Sequence, residues 1–285
     1  MPNLEQETQE TKFNLKREII AGTQYVSGYE NTEDKYVISA SMVGNDPLQN
    51  YLTIIHGKQV DVEISDATLG TIFHLGMEEL MVRRVREANS PVIGVEKSMH
   101  MELPNGWIMS GTADLVTKQD AATLNIHDYK LTKTYALKML KSSLSSHNYS
   151  KQMRVLKTLL KNEVDNSVIK KYKNINMKIE IFVKDSKAVN FEPVLTTVDV
   201  PNANGADDAA ASEVLIAEVV QITDSLQSYI EGGTIPPICE DRWPRKVKDK
   251  VIPTRCAFYC SHGKAGLCPH YNPSTRQEAT RLANW

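Results

Sequence analysis

The sequence predicts an α/β domain followed by a cysteine-rich C-terminal lobe, and three observations predict it. Segments 92 to 103, 106 to 117 and 123 to 131 are rich in strand-forming residues and follow one another across short polar breaks. Segments 66 to 88, 149 to 162 and 208 to 231 place apolar residues at helical spacing. All four cysteines, Cys239, Cys256, Cys260 and Cys268, fall after residue 238. The expected division is a flexible acidic tail over 1–12, one α/β domain over 13–232 and the cysteine-rich lobe over 233–285.

Taken in chain order, Tyr36 to Ser41 (YVISAS) leads into a helix or turn at Pro47. Asp66 to Ala88 opens with an aspartate and a threonine suited to capping. Three strands come next, and the polar run Thr117-Lys118-Gln119-Asp120 with two alanines puts a turn near Ala121. Tyr149 to Asn162 is a helix whose buried stripe is Met153, Leu156, Leu159 and Leu160. Met177 to Lys184 and Val194 to Val200 extend the sheet, and Asp208 to Glu231 forms a long amphipathic helix.

Composition narrows the function classes. With 285 residues, 41% of them hydrophobic, the chain can bury one sizeable core plus an appendage. No stretch reaches the roughly twenty apolar residues of a membrane span, since Ala209 to Ile222 is interrupted by Glu213 and Glu218. The first ten residues lack a basic start and an apolar middle, so a soluble cytoplasmic protein with no membrane partner is expected. A net charge of −2 argues against coating nucleic acid by sheer basicity, and leaves local patches as the route to an anionic partner.

The chemistry concentrates on the hairpin. Gly111-Thr112-Ala113-Asp114 and Asp128-Tyr129-Lys130 lie on its two arms. A turn at Ala121 sets Asp114 opposite Asp128, and strand alternation puts Asp128 and Lys130 on one face with His127 and Tyr129 on the other. Facing carboxylates repel unless a cation lies between them, and hard oxygen ligands suit magnesium or manganese. Such an ion would activate water beside a scissile phosphate, with Lys130 orienting that water or neutralising phosphoryl charge. Upstream, His74 and Glu78 share a helix face, His74 as a nitrogen ligand and Gly70 as a point where another backbone could come close. Downstream, Gln152 sits near the start of its helix, with Lys151, Arg154, Lys157 and Lys161 around it and Lys133, Lys138 and Lys141 before it. Those cations, together with Arg245, Lys246, Lys248 and Lys250, are expected to track phosphates, and Trp243 to cover a metal-bound loop or stack on a base. Glu96 is either a further acid of the site or a strand residue facing water. Replacing Asp128 or Lys130 by alanine is expected to abolish activity with little loss of folding.

The order Gly-x-x-x-His, Gly-x-x-Asp, Asp-x-Lys, Gln resembles the RecB-type branch of the PD-(D/E)xK nuclease superfamily, over roughly residues 36 to 160. The resemblance implies a restriction-endonuclease-like core, a mixed central sheet flanked by helices. It implies metal ligation by His74, Asp114, Asp128 and the Tyr129 carbonyl, and catalytic roles for Asp114, Asp128, Lys130 and Gln152. DNA contacts are then expected at Lys133, Lys151 and Arg154. The implied activity is a Mg2+- or Mn2+-dependent DNA exonuclease leaving 5′-phosphate and 3′-hydroxyl ends, beside a recombination or replication partner. A silent DNA-binding scaffold and a structure-specific endonuclease are the alternatives. Where the family's glutamine is usually followed four residues later by tyrosine, this chain has Leu156, so its helix is expected to pack or contact substrate differently.

The crowded cysteines point to a metal or cluster site. Their C-x3-C-x7-C-P run lacks the paired spacing of a zinc ribbon. It is similar to cluster-bearing relatives of that nuclease family, which implies a 4Fe-4S cluster. In those relatives the first cysteine precedes the nuclease core, whereas Cys239 follows it. Zinc, with His262 or His270 joining the thiolates, and two disulfides are the other readings. Either metal would staple a loop-rich segment containing Pro236, Pro237, Pro244 and Pro253.

Overall fold

The computed structural model describes residues 35–57, 66–163, 167–184, 194–202, 208–240, 245–247, 250–252, 260–272, 274 and 277. The tail over 1–12, Trp243, Lys248 and Cys256 lie outside the described residues. The elements are β1 (Val37–Ser39), α1 (Pro47–His56), α2 (Asp66–Val85), β2 (Val92–Glu102), β3 (Ile108–Lys118), β4 (Thr123–Thr132), α3 (Thr134–Ser142), α4 (Asn148–Lys161), α5 (Ser167–Lys170), β5 (Asn174–Val183), β6 (Val194–Val200), α6 (Asp208–Glu231), β7 (Arg245–Val247), β8 (Lys250–Ile252) and α7 (Ser261–Lys264).

One mixed six-stranded sheet organises the molecule, with helices on both faces. Its path is β1-β3-β4-β5-β6, and β2 also pairs with β3. β2 runs antiparallel along nearly the whole of one edge of β3. The other edge is shared. β1 pairs in parallel with Ile108 to Ser110, β4 pairs antiparallel with Leu115 to Lys118, and neither strand pairs with Gly111 to Asp114 between them. The turn between β3 and β4 is centred near Ala121 as expected, since Lys118 pairs with Leu124. β5 lies parallel to β4 from Asn174 to Val183, which requires the crossover through α3, α4 and α5.

Neighbouring β4 residues tell the two faces apart. The Asp128 face is covered by α4 and, beyond it, α6, and there the core gathers Ile126, Ile179 and Ile181 against Met153, Val155, Leu156, Leu159 and Leu160. Each such side chain contributes about 1.5–3 kcal/mol by leaving water. Gly111 admits this packing: a Cβ there would lie 2.6 Å from Leu156 Cδ2 and 3.1 Å from Ala40 Cβ. Leu156, where a tyrosine was the expected pattern, is therefore a core residue seated on the glycine of the β3 motif. Gly70 takes no such part, because a Cβ there would meet open space.

The Tyr129 face is covered by α2. Phe73 meets Phe182 at 4.5 Å between ring centroids and Tyr129 at 6.5 Å. Further along that face runs a polar ladder: Thr117 Oγ1 and Glu180 Oε1 lie 2.9 and 2.8 Å from the two nitrogens of His127, and Thr197 donates to Glu180 Oε2 at 2.6 Å. Past α6, β7 and β8 form a two-stranded hairpin. No helix among the described residues is long and apolar enough to cross a membrane.

Candidate metal centre

The unpaired stretch of β3 is where the charged side chains meet. The ladder between β3 and β4 ends at Leu115 opposite His127, one residue short of Asp114 and Asp128. Asp114 turns into the opening, and its Oδ2 accepts the Tyr129 backbone N–H at 2.5 Å, a donor that a continued ladder would have used. The same oxygen lies 3.4 Å from His74 Nδ1, reached from α2. Asp128 is buried; its Oδ2 lies 2.7 Å from Lys130 Nζ and its Oδ1 accepts from Gln152 Nε2 at 3.2 Å, reached from α4. The opening is thus lined by β3 and β4 and entered from both helical layers.

Glu96 of β2 joins this group. Its numbering continues the β2–β3 register opposite Asp114, flanked by Val95 with Leu115 and Lys97 with Ala113. Its backbone has φ 44°, a left-handed conformation that a non-glycine residue adopts only under constraint, and such strain concentrates at functional sites. One ligand atom each from His74, Glu96 and Asp114 all lie within 4.8 Å of one another. Of the two sequence readings of Glu96, the further acid of the site is the one the geometry supports.

The electrostatics record crowding of like charge. Burial, then Asp114 and Glu78, push the Glu96 carboxyl up to about 7. Burial also raises Asp128, against the pull of Lys130. For Lys130 burial works against the ammonium, yet Asp128 and Asp114 outweigh it and its pKa stands above the ordinary lysine value. His74 is likewise raised: burial lowers it, and the hydrogen bond and charge of Asp114 more than compensate. A carboxyl raised as Glu96 is would exchange its proton for a divalent cation. A nitrogen and two carboxylate oxygens, with Asp128 beside them, suit manganese or magnesium in number and hardness.

No protein-family model matches this chain, and no curated protein matches it in sequence. Solved structures do match its shape. The crystal structure of SSO0001 superposes with a TM-score of 0.50 at 14% identity, covering 91% of this chain and 98% of that one. A protein from Eubacterium rectale named as a candidate exonuclease gives 0.43 at 14% identity, covering 82% and 100%. LHK-Exo, solved in complex with dAMP, gives 0.37 at 15% identity, covering 69% and 92%. At this identity the first likeness speaks for the fold alone.

The structure therefore brings together His74, Asp114, Asp128, Lys130 and Gln152, all named from the sequence, with Glu96, which the sequence left between two readings. A lone glutamate in an alternating strand carries no local mark; the only available signal was its place on the strand preceding the Gly-x-x-Asp arm. The cations expected to hold DNA are less available than their sequence suggests. Lys151 Nζ pairs with Glu218 at 3.0 Å, and Arg154 donates to the carbonyls of Ser145 and Pro201 at 3.0 and 3.3 Å. Lys157 is buried, with its Nζ 3.2 Å from Asn202 Oδ1. Lys133 begins α3 as its cap residue.

The cysteine set is described only in part, because Cys256 falls outside. Cys260 is buried, and its Sγ accepts the Gly263 N–H at 3.3 Å at the start of α7. Burial raises the Cys268 thiol, the His270 backbone works against this, and Cys260 adds to the rise. No disulfide joins Cys260 to Cys268. His262 is buried, with Nε2 3.3 Å from the Gly57 carbonyl, which ties α7 to the end of α1.

Proposed function

We propose that this chain is a divalent-metal-dependent deoxyribonuclease that hydrolyses phosphodiester bonds, working as an exonuclease on DNA ends in recombination or replication beside a partner protein. The observation that carries the reading is the convergence of His74, Glu96 and Asp114 on one point, with Asp128, Lys130 and Gln152 alongside. His74, Glu96, Asp114 and Asp128 would hold magnesium or manganese, and the Tyr129 carbonyl is a further ligand of the proposal. When bound, the ion supplies Lewis-acid charge at the scissile phosphate and lowers the pKa of water.

The chain's own residues do the rest. Lys130 presents a permanent positive charge toward the attacking water and the phosphoryl oxygens, where negative charge grows as the P–O3′ bond breaks. Gln152 fixes the Asp128 carboxylate through its amide, so the acid keeps one orientation while its other oxygen serves the site. Asp114 is fixed by the Tyr129 N–H in the same way. The products are a 5′-phosphate and a 3′-hydroxyl. Lys133, Lys151 and Arg154 remain the proposed DNA contacts, and using Lys151 requires DNA phosphate to displace Glu218.

The deciding assay compares end-labelled linear with covalently closed circular DNA under Mg2+, Mn2+ or EDTA, with Asp128→Asn alongside. Metal-dependent loss of linear DNA alone, absent in the variant, supports the exonuclease. Loss of both substrates makes it an endonuclease. No cleavage of DNA or RNA under any metal overturns the enzyme and leaves the silent scaffold.

For Cys239, Cys256, Cys260 and Cys268 we propose a 4Fe-4S cluster, with zinc the alternative. What supports it is the crowding of all four cysteines after residue 238. Elemental analysis with a visible absorption spectrum separates iron, zinc and no metal.

A further inference from the structure

Lys130 is held from two sides. One is the Asp128 carboxylate. The other is an aromatic face: Lys130 Nζ stands over the Tyr149 ring, 5.1 Å from its centroid. That ring belongs to the first turn of α4 and packs against the hydrophobic core. The His147 ring lies 4.7 Å from it at 58°, and His147 Nδ1 accepts the Tyr149 N–H at 3.2 Å, capping the helix. Burial keeps the His147 pKa below its ordinary value, so a neutral imidazole braces the tyrosine without adding a competing charge.

The two holds respond differently to a cation in the site. An ammonium is a compact point charge on a flexible stem and has no preferred direction around a carboxylate. Once a divalent ion draws on Asp128, the attraction left for Lys130 falls and repulsion from the ion grows. The quadrupole of a ring braced by the core is not consumed in this way, and it is stronger where water is scarce. The Lys130 side chain is only 17% exposed.

We infer that Tyr149 is a positioning residue for Lys130, its ring face holding the ammonium in place while Asp128 serves the metal. The inference rests on the nuclease reading. It requires the ring and not the hydroxyl, which makes phenylalanine and leucine at this position opposite tests.

The first readout needs no activity. In the Mg2+-loaded protein the Lys130 Cε protons, assigned by comparison with Lys130→Arg, are expected upfield from the ring current, unchanged in Tyr149→Phe and returned to the ordinary lysine position in Tyr149→Leu. Absence of that upfield shift in the wild type overturns the inference. The second readout is steady-state cleavage. Tyr149→Phe is expected within about twofold of wild type, and Tyr149→Leu to lose about five- to thirtyfold in kcat with KM, metal midpoint and Tm near wild type. Equal loss in both variants would assign the role to the hydroxyl, and a loss that follows KM or Tm would make Tyr149 structural; either sinks the proposal. An upfield shift in a protein that cleaves nothing would instead sink the nuclease reading and leave the contact without a reaction to serve.

Discussion

The two helices that bring side chains to the opening are built differently. α4, which carries Gln152, seats Met153, Val155, Leu156, Leu159 and Leu160 in the core with at most 1% of each exposed. α2, which carries His74, leaves Leu69, Ile72, Leu75 and Leu80 between 40% and 53% exposed. It is held against the sheet by contacts with β2, by Phe73 against Phe182 and Tyr129, and by the approach of His74 to Asp114. One wall of the site is therefore set by the core, and the other by aromatic contacts and the ligands themselves. A cation bound between His74 and the sheet would do for α2 what apolar packing does for α4.

The sharpest break comes from the wall shared with the core. Asp128→Asn is expected to lower cleavage by about a thousandfold or more, since it removes ligand charge at nearly constant shape. The alanine variant is a worse probe than the sequence suggested. Asp128 is 1% exposed and pairs with Lys130, so Asp128→Ala strands a buried ammonium and should destabilise by several kcal/mol, roughly 3–5 for a broken buried pair. Urea unfolding of both variants checks this, and equal stability would mean that Lys130 finds another partner.

Next comes the packing contrast itself. Leu156→Ala should cost about 2–5 kcal/mol by emptying a filled core position. Unfolding midpoints measure it, and a loss under about 1 kcal/mol would mean that α4 is no better seated than α2.

The metal-linked effect is intermediate. Saturating Mn2+ should slow hydrogen exchange over 66–85 and leave 148–161 nearly unchanged. Glu96 links this to pH. Its folded pKa, about 7, exceeds the ordinary 4.5, so between those values the folded chain holds a proton that the unfolded chain has released. Stability of the metal-free protein should therefore fall as pH rises through that window. Metal must displace the same proton, and that of His74 with it, so its affinity should climb as pH rises through the window. Calorimetric titration across this range, with Glu96→Gln as the control that weakens both trends and leaves the part due to His74, decides it. The smallest effect belongs to α2: Leu75→Ser should change stability by no more than about 0.5 kcal/mol. A larger loss, read from the same midpoints, would show that α2 is better packed than its exposure implies.

Much of this was legible in the residues. Periodicity located β2, β3 and β4 to within a residue or two, and it marked the buried stripe of α4. The facing of Asp114 and Asp128 followed from where the turn fell. What escaped depends on partners remote in sequence. Nothing in Asn174 to Val183 says that it lies parallel to β4, because alternation reports a face and not a neighbour. Lys151 and Arg154 read as free charges until α6 and the Pro201 carbonyl come beside them. Glu96 could not be decided, because a positive φ is a product of tertiary constraint.

The opening in the sheet is made by scarcity of backbone. β1 stops at Ser39, and β4 leaves β3 after His127, so four residues of that edge pair with neither strand. Lengthening β1 by a couple of well-chosen residues would let the edge close like a zipper. On the proposed function, such an insertion would keep the fold and lose the cutting. The boundary between an enzyme and an inert scaffold on this fold can thus lie in how far one short strand runs, with each charged side chain left unchanged.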